Sequence, residues 1–205
     1  MSRSEAVSAT IGRGTGNPKR VFLFSGKRKC GKDYITDLLL ERIGEENTVI
    51  IKISSPIKSH WAEEKGLDLH KLMSANQYKE NFRQDMIIWS ESVRAKDPGY
   101  FCRKAVDMYK AQEKPIWVVS DIRRKTDIKW FTEEYGDAVR TVRVVADESV
   151  RQRRGYVFTK GVDDIASECD LDDVLEWNWS IINNGDESEV DRCLKLFIDD
   201  IESVL

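Results

Sequence analysis

Histidine is nearly missing from this chain. Its 205 residues hold two, His60 and His70, too few for most imidazole-based acid–base chemistry, and both read as surface helix residues. The four cysteines, Cys30, Cys102, Cys169 and Cys193, stand far apart with none of the paired spacing of metal sites. They read as reduced thiols of a cytosolic-type compartment. There is no run of about 18 apolar residues, so nothing reads as a membrane span. Residues 1–19 are small and polar, carry Glu5 and lack the apolar stretch of a signal peptide. They read as a disordered tail, with a weak organellar presequence as the alternative. Internal repeats, zinc spacing, RNP-like motifs and a lysine-rich tail are absent, which removes the usual signatures of nucleic-acid modules. The His-Arg-Asp and Asp-Phe-Gly sets of protein kinases are missing too.

What the chain has in abundance is charge, unevenly placed. The net charge of −3 conceals 14 acidic and 2 basic side chains in residues 163–205, against 31 basic and 22 acidic in residues 1–162. A basic body wants anionic partners. Arginines clustered around a phosphate loop point to small, highly charged molecules.

That loop follows the apolar strand Phe22-Leu23-Phe24. Gly26 and Gly31 bracket four residues ahead of Lys32, the GxxxxGK spacing of phosphate-cradling loops. The glycines let backbone N–H groups turn inward, the following helix offers its positive dipole end, and Lys32 reaches the outer phosphates of a nucleotide. Lys27, Arg28 and Lys29 add three cations inside the loop. The next position usually holds Ser or Thr, which helps bind magnesium; here it is Asp33, which binds the ion directly, through water, or not at all. A tight strand-to-helix turn with exposed lysines is the plainer alternative, but strand, spacing and helix agree on nucleotide binding.

Residues 33–42 set Ile35, Leu38 and Leu39 on one helical face. Residues 48–53 form a β-branched strand, and a helix over about 57–65 puts Lys58 in its first turn, where a cation opposes the dipole unless it serves a ligand. Over residues 76–96, Tyr78, Phe82, Met86, Trp89 and Val93 recur at helical steps and predict a buried stripe. Lys79, Arg83 and Arg94 lie within about 60° of one another on its flank, as an anion-facing wall or a solvated basic edge. After Asp97-Pro98-Gly99 an amphipathic helix carries Phe101, Cys102, Ala105 and Val106.

Residues 115–120 are almost wholly apolar, as in a central parallel strand covered on both faces, and end in Asp121-Ile122-Arg123-Arg124. Ligands of open α/β sheets collect beyond the carboxyl ends of strands. Asp121 therefore reads as a magnesium-organising acid, with a helix N-cap as the alternative, and Arg123 and Arg124 stand at the working edge. A helix over 125–135 and a strand over 139–146 bearing Arg143 follow. Residues 151–164 combine Arg151, Arg153 and Arg154 with glycines and a polar return, the composition of a lid closing over phosphates, although the dipole alone favours arginine at a helix end. Residues 179–183 form a last strand, and a helix with Val190, Leu194, Phe197 and Ile201 inward closes the chain.

Strand–helix alternation behind a phosphate loop indicates an α/β fold with a doubly wound parallel sheet. Many cations, few acids and one magnesium site suit phosphoryl transfer, which depends on positioning and charge stabilisation. A hydroxyl acceptor needs a positioned base, whereas a phosphate monoester, with a second pKa of about 6, is already mostly dianionic near neutral pH. The spread of cations therefore favours a phosphorylated acceptor.

The motifs Phe24-Ser25-Gly26-Lys27-Arg28-Lys29-x-Gly31-Lys32-Asp33, Tyr78-Lys79-Glu80-x-Phe82-Arg83, Asp97-Pro98-Gly99-x-Phe101-Cys102-Arg103-Lys104, Ser120-Asp121-x-Arg123-Arg124 and Arg153-Arg154-Gly155-x-Val157-Phe158-Thr159-x-Gly161-Val162-Asp163-Asp164 together closely resemble the animal-type phosphomevalonate kinases. The resemblance runs from about Arg20 to the final helix. That family carries Gly-Lys-Asp in the loop, and Cys30 stands where relatives can have serine. The resemblance implies a three-layer, nucleoside-monophosphate-kinase-like domain over 20–205, with an acceptor-binding insert over about 56–112 and a lid over about 150–165. It implies transfer of the ATP γ-phosphoryl group to 5-phosphomevalonate with Mg2+, giving 5-diphosphomevalonate and ADP, a step towards isoprenoids and sterols.

By matching position, Lys27, Lys32, Asp33, Arg123 and Arg124 are expected to serve catalysis. Gly26 to Asp33 (Lys27, Arg28, Lys29, Cys30, Gly31 and Lys32 between them), with Arg143 and Arg153, are expected at ATP. Lys58, Lys79, Arg83, Arg94, Arg123, Arg124, Arg151 and Arg154 are expected at the acceptor, and Asp33 and Asp121 at magnesium. Small molecules are the expected partners of a cytosolic monomer that binds neither nucleic acid nor membrane; the terminal Ser203-Val204-Leu205 is only faintly like a peroxisomal address. The rivals are a kinase of the same fold acting on a nucleoside monophosphate or dephospho-coenzyme A, and an inactive anion-binding scaffold.

Overall fold

A computed structural model describes residues 17–74 and 77–205, without the side chains of Gln77, Lys79 and Glu80. Most of the expected N-terminal tail and the side chain of the expected site residue Lys79 therefore lie outside what is described.

The strands β1 (Arg20–Gly26), β2 (Thr48–Ile51), β3 (Ile116–Val119), β4 (Val139–Val145) and β5 (Trp179–Ile182) form one sheet in the order β2-β3-β1-β4-β5. Every pair is parallel. β1 lies in the middle, paired from Arg20↔Ile116 to Leu23↔Val119 on one side and from Val21↔Val139 to Gly26↔Val144 on the other. Its sequence follows from that place: a strand covered on both faces needs apolar side chains in both directions. Val21 and Leu23 pack with Phe101, Trp117 and Phe131 on one face. Phe22 and Phe24 pack with Ile35, Leu39 and Phe197 on the other. The chain runs from β1 outward to β2, returns through β3, then crosses β1 to β4, so a crevice opens beyond the carboxyl ends of β1 and β3.

The helices that shape this crevice are α1 (Lys32–Ile43), α2 (Ser54–Lys65), α3 (Leu69–Met73), α4 (Gln77–Lys96), α5 (Tyr100–Met108), α6 (Lys125–Tyr135), α7 (Glu148–Arg153), α8 (Ala166–Cys169) and α9 (Glu187–Glu202). The expected stripe on α4 is real: Met86 joins Trp61, Ala62 and Leu72 in a small separate core, with Phe82 and Trp89 against it. This core holds the helices between β2 and β3 as a wall over the crevice.

α2 starts three residues before the expected helix. The reason is a contact distant in sequence: Asp121, just past β3, accepts hydrogen bonds from Ile53 N at 2.6 Å and Ser54 N at 3.0 Å. A carboxylate at a helix N-terminus satisfies its orphan amides and is stabilised by the positive end of its dipole. Pro56 falls in the first turn, where proline is tolerated. Lys58 consequently lies beyond the first turn, not within it.

Candidate active site

The phosphate loop leaves β1 at Gly26 and turns back over it. A Cβ on Gly26 would lie 2.6 Å from Cys30 Sγ and 2.7 Å from Val144 O, so the loop closes only around glycine. Gly31 has φ +86° and serves as N-cap of α1 with no side-chain cap, which leaves the first amides of that helix to a ligand. Lys29 also adopts a left-handed φ, 64°. Cys30 is buried in the core beneath the loop. Burial pushes its thiol pKa up, against the lowering influence of Lys32. Lys32 donates from Nζ to Ser120 O, at the carboxyl end of β3, and lies 3.4 Å from Asp33 Oδ1.

The other cations around the loop are held by carboxylates and backbone oxygens. Lys27 Nζ donates to Asp172 Oδ2 at 2.5 Å and to Glu168 O at 2.7 Å. Arg28 forks onto Asp163 at 2.8 and 3.0 Å. Arg143 donates to Ser25 Oγ at 2.8 Å and Asp172 Oδ1 at 2.9 Å, with its guanidinium 5.5 Å from the Trp177 ring centroid.

Arg154 is placed differently from the sequence expectation. Its Nη1 donates to Cys30 O at 3.1 Å and its Nη2 to Asn183 Oδ1 at 3.2 Å, while Asn183 Nδ2 donates to Cys30 O at 2.9 Å. The pair braces the outside of the phosphate loop and, with Gly31, Tyr34, Leu38 and Val190, lines a separate cleft beside it. Arg154 therefore sits with the loop rather than with the acceptor-side cations. Arg151 stacks 4.3 Å from the Tyr156 ring centroid, with Arg28 6.0 Å from the same ring. Arg153 is exposed at the end of α7.

Lys58, Arg83, Arg94, Arg123 and Arg124, five of the expected acceptor residues, line a single cavity of about 140 Å³ between α2, α4 and the end of β3. Its apolar side is Ile57, Met86 and Ile87. The arginines are fixed by a group that sequence reasoning missed. Asp127, fully buried in the first turn of α6, accepts from Arg94 Nη1 at 2.5 Å, Arg123 N at 3.0 Å and Arg124 N at 3.1 Å. Burial opposes the Arg94 charge, but the Asp127 carboxylate outweighs it and holds the Arg94 pKa up. Arg124 is forked from Nε and Nη2 onto Glu91 Oε1. Its Nη1 is buried without a hydrogen-bond partner among the described residues. Arg123 reaches Ser167 O and Glu168 Oε1.

The two expected magnesium ligands differ. Asp33 has a side chain 73% exposed beside Lys32, and one such carboxylate suits Mg2+, which commonly takes one or two carboxylates together with substrate phosphates. Asp121 is committed through both oxygens to the amides that begin α2. It performs the N-cap role, for α2 rather than for the helix that follows it. Among the described residues no group of three or more His, Cys, Asp or Glu could form a metal cage.

A parallel sheet of this order, a phosphate loop on its central strand and a cation-lined crevice at the strand ends define a phosphate-loop kinase fold. The solved structures agree on the fold. A Thermus thermophilus protein matches with a TM-score of 0.54 at 16% identity, over 90% of this chain and 98% of its own. A Sinorhizobium meliloti gluconokinase matches with a TM-score of 0.50 at 12% identity, over 91% of this chain and 97% of its own. Residues 24–137 match the family model described as phosphomevalonate kinase. The Drosophila melanogaster phosphomevalonate kinase is 45% identical over 185 residues, 89% of this chain and 97% of that protein. The chain belongs to the phosphomevalonate kinase family, the family its motifs resemble.

Proposed function

We infer that the protein transfers the γ-phosphoryl group of ATP to the phosphate of 5-phosphomevalonate, forming 5-diphosphomevalonate and ADP. The observation that carries this reading is the makeup of the cavity facing Arg124. Its lining combines five cations with Ile57, Met86 and Ile87, and its described residues include no aromatic ring, Asn or Gln. A nucleotide acceptor wants stacking and amide groups. A short branched acid with a phosphate at one end and a carboxylate at the other wants cations and a small apolar surface.

In this reading Lys32 and the first amides of α1 hold the outer phosphates of ATP. Lys27, Arg28 and Arg143 neutralise the group in transfer, and the cleft at Arg154 and Asn183 takes the nucleoside end. Lys58, Arg83, Arg94, Arg123 and Arg124 hold the acceptor, and Lys79 is assigned there by its position on α4. An acceptor phosphate oxygen attacks the γ-phosphorus as the bond to the β-phosphate oxygen breaks, and no protein base is required because the acceptor is already ionised. Asp33 would hold Mg2+, which when bound neutralises charge on the β- and γ-phosphate oxygens. Residues 56–112 form the acceptor-binding insert and 150–165 the lid, with Arg151 and Arg153 on it. The protein acts as a cytosolic monomer in this account; its four free cysteines fit a reducing compartment.

An acceptor panel tests the assignment. Phosphomevalonate is expected to be turned over at least about 100-fold faster than AMP, CMP or dephospho-coenzyme A, a margin within reach of a site built for one pattern of charge. Comparable turnover of a nucleotide would transfer the protein to the rival kinase class.

A further inference from the structure

Asp172, on the turn after α8, bridges two cations from different strand ends. Its Oδ2 lies 2.5 Å from Lys27 Nζ and its Oδ1 2.9 Å from Arg143 Nη2. The same acidic stretch repeats the pattern: Asp163 holds Arg28, and Glu168 holds Arg123. Four cations assigned above to the two ligands thus face three carboxylates from residues 163–172. Carboxylate oxygens meeting ammonium and guanidinium groups at these distances make the same charge-assisted contacts that phosphate oxygens make.

Exposure separates the Asp172 contacts from structural ones, and from the Asp163 and Glu168 pairs, whose acids are 6% and 5% exposed. The Arg94 and Asp127 side chains are 10% and 1% exposed, whereas Asp172 is 41% exposed, Lys27 31% and Arg143 16%. A pair open to water on one side contributes little and is readily exchanged for a stronger anion.

We propose that Asp172 sets an entry threshold for anions at this site: before a ligand binds, its carboxylate stands in for a ligand phosphate on Lys27 and Arg143, and an anion enters only where its own contacts exceed that one. The assignment of Lys27 and Arg143 to ligand phosphates rests on the function inferred above. Without the carboxylate, so many clustered cations would hold any abundant small anion. With it, every anion that uses Lys27 and Arg143 must displace the same competitor. A triphosphate has further contacts with Lys32 and the loop amides and stays above the threshold; inorganic phosphate does not. The penalty is the same for both anions, so it decides which of them is held at a given concentration and leaves the ratio of their affinities unchanged.

The test uses the full chain, Asp172→Asn and Asp172→Ala, with inorganic tripolyphosphate and inorganic phosphate as probes in calorimetry. Both variants are expected to bind tripolyphosphate about five-fold more tightly than the unaltered protein. Inorganic phosphate should also compete with it at concentrations the unaltered protein ignores. Tripolyphosphate binding that is weaker or unchanged in both variants overturns the proposal and leaves Asp172 as an orienting or surface group. Because the readout is binding without an acceptor, failure of the assigned reaction and failure of this proposal are distinguishable.

Discussion

Asp127 Oδ1 accepts from Arg94 Nη1 at 2.5 Å, and Asp127 is buried. The same carboxylate takes the backbone N–H groups of Arg123 and Arg124 through Oδ2. One buried acid therefore fixes a side chain from α4 and two backbone positions after β3, which is why the acceptor cavity has a defined shape before anything binds.

Removing one member of a buried pair leaves the other uncompensated. Asp127→Ala is expected to destabilise the fold by about 3–5 kcal/mol, read by urea denaturation. Asp127→Asn should cost less, since an amide oxygen in the place of Oδ2 still accepts from both backbone N–H groups. A loss below about 1 kcal/mol for the alanine variant would mean that Arg94 finds water or another acid.

Among the described residues the Lys32 side chain donates only to Ser120 O and Asp33. Lys32→Met should leave thermal unfolding nearly unchanged while lowering kcat by at least about 100-fold, the scale for losing one charge-stabilising donor. A variant that unfolds early would instead make Lys32 a structural tie between the loop and β3.

Arg124 lines the cavity and presents a planar fork to Glu91. Lysine keeps the charge without the fork. Arg124→Lys is expected to raise the KM for the acceptor about ten-fold, the scale of one charge-assisted hydrogen bond, with the KM for ATP unchanged. Steady-state kinetics with each substrate varied in turn would show whether the effect is confined to that side.

Arg154 gives the opposite split. It braces Cys30 O and Asn183 beside the phosphate loop. Arg154→Ala should raise the KM for ATP about ten-fold and leave that for the acceptor alone. An acceptor-side effect would restore the role expected from sequence.

Thiol labelling gives an independent check. Burial pushes the pKa of Cys30 up and that of Cys102 well up, so both hold less thiolate at pH 8 than a free cysteine. Burial also raises Cys193, with Glu189 adding to it. Cys169, part-exposed and 3.7 Å from Lys27 Nζ, should be alkylated first by iodoacetamide, as read by peptide mass spectrometry. Faster labelling of Cys30 would mean that the loop opens readily.

The parallel sheet was legible because a central strand carries its signature locally: apolar in both directions, as in Phe22-Leu23-Phe24 and residues 116–119. The phosphate loop was legible because its spacing is local too, and the α4 stripe because its period is. What sequence did not disclose was pairing over distance. Asp121 looked like a metal ligand from its place at a strand end, yet it caps α2, 67 residues away in the chain. Asp127 carried only a weak signal, an acid in the first turn of a helix after two arginines. Asp163, Glu168 and Asp172 were visible as a negative stretch, but nothing in their spacing tied each to a cation more than 25 residues away. Arg154 lies one residue from Arg153 in the chain, so position alone could not separate the loop from the acceptor side.

The central claim is that this protein moves a phosphoryl group from ATP to phosphomevalonate, and ADP release in a coupled assay tests it most directly. ADP should form only when ATP, magnesium and 5-phosphomevalonate are all present, in step with 5-diphosphomevalonate detected by phosphorus NMR. ADP formation that ignores phosphomevalonate, or none with all three present, would contradict the account.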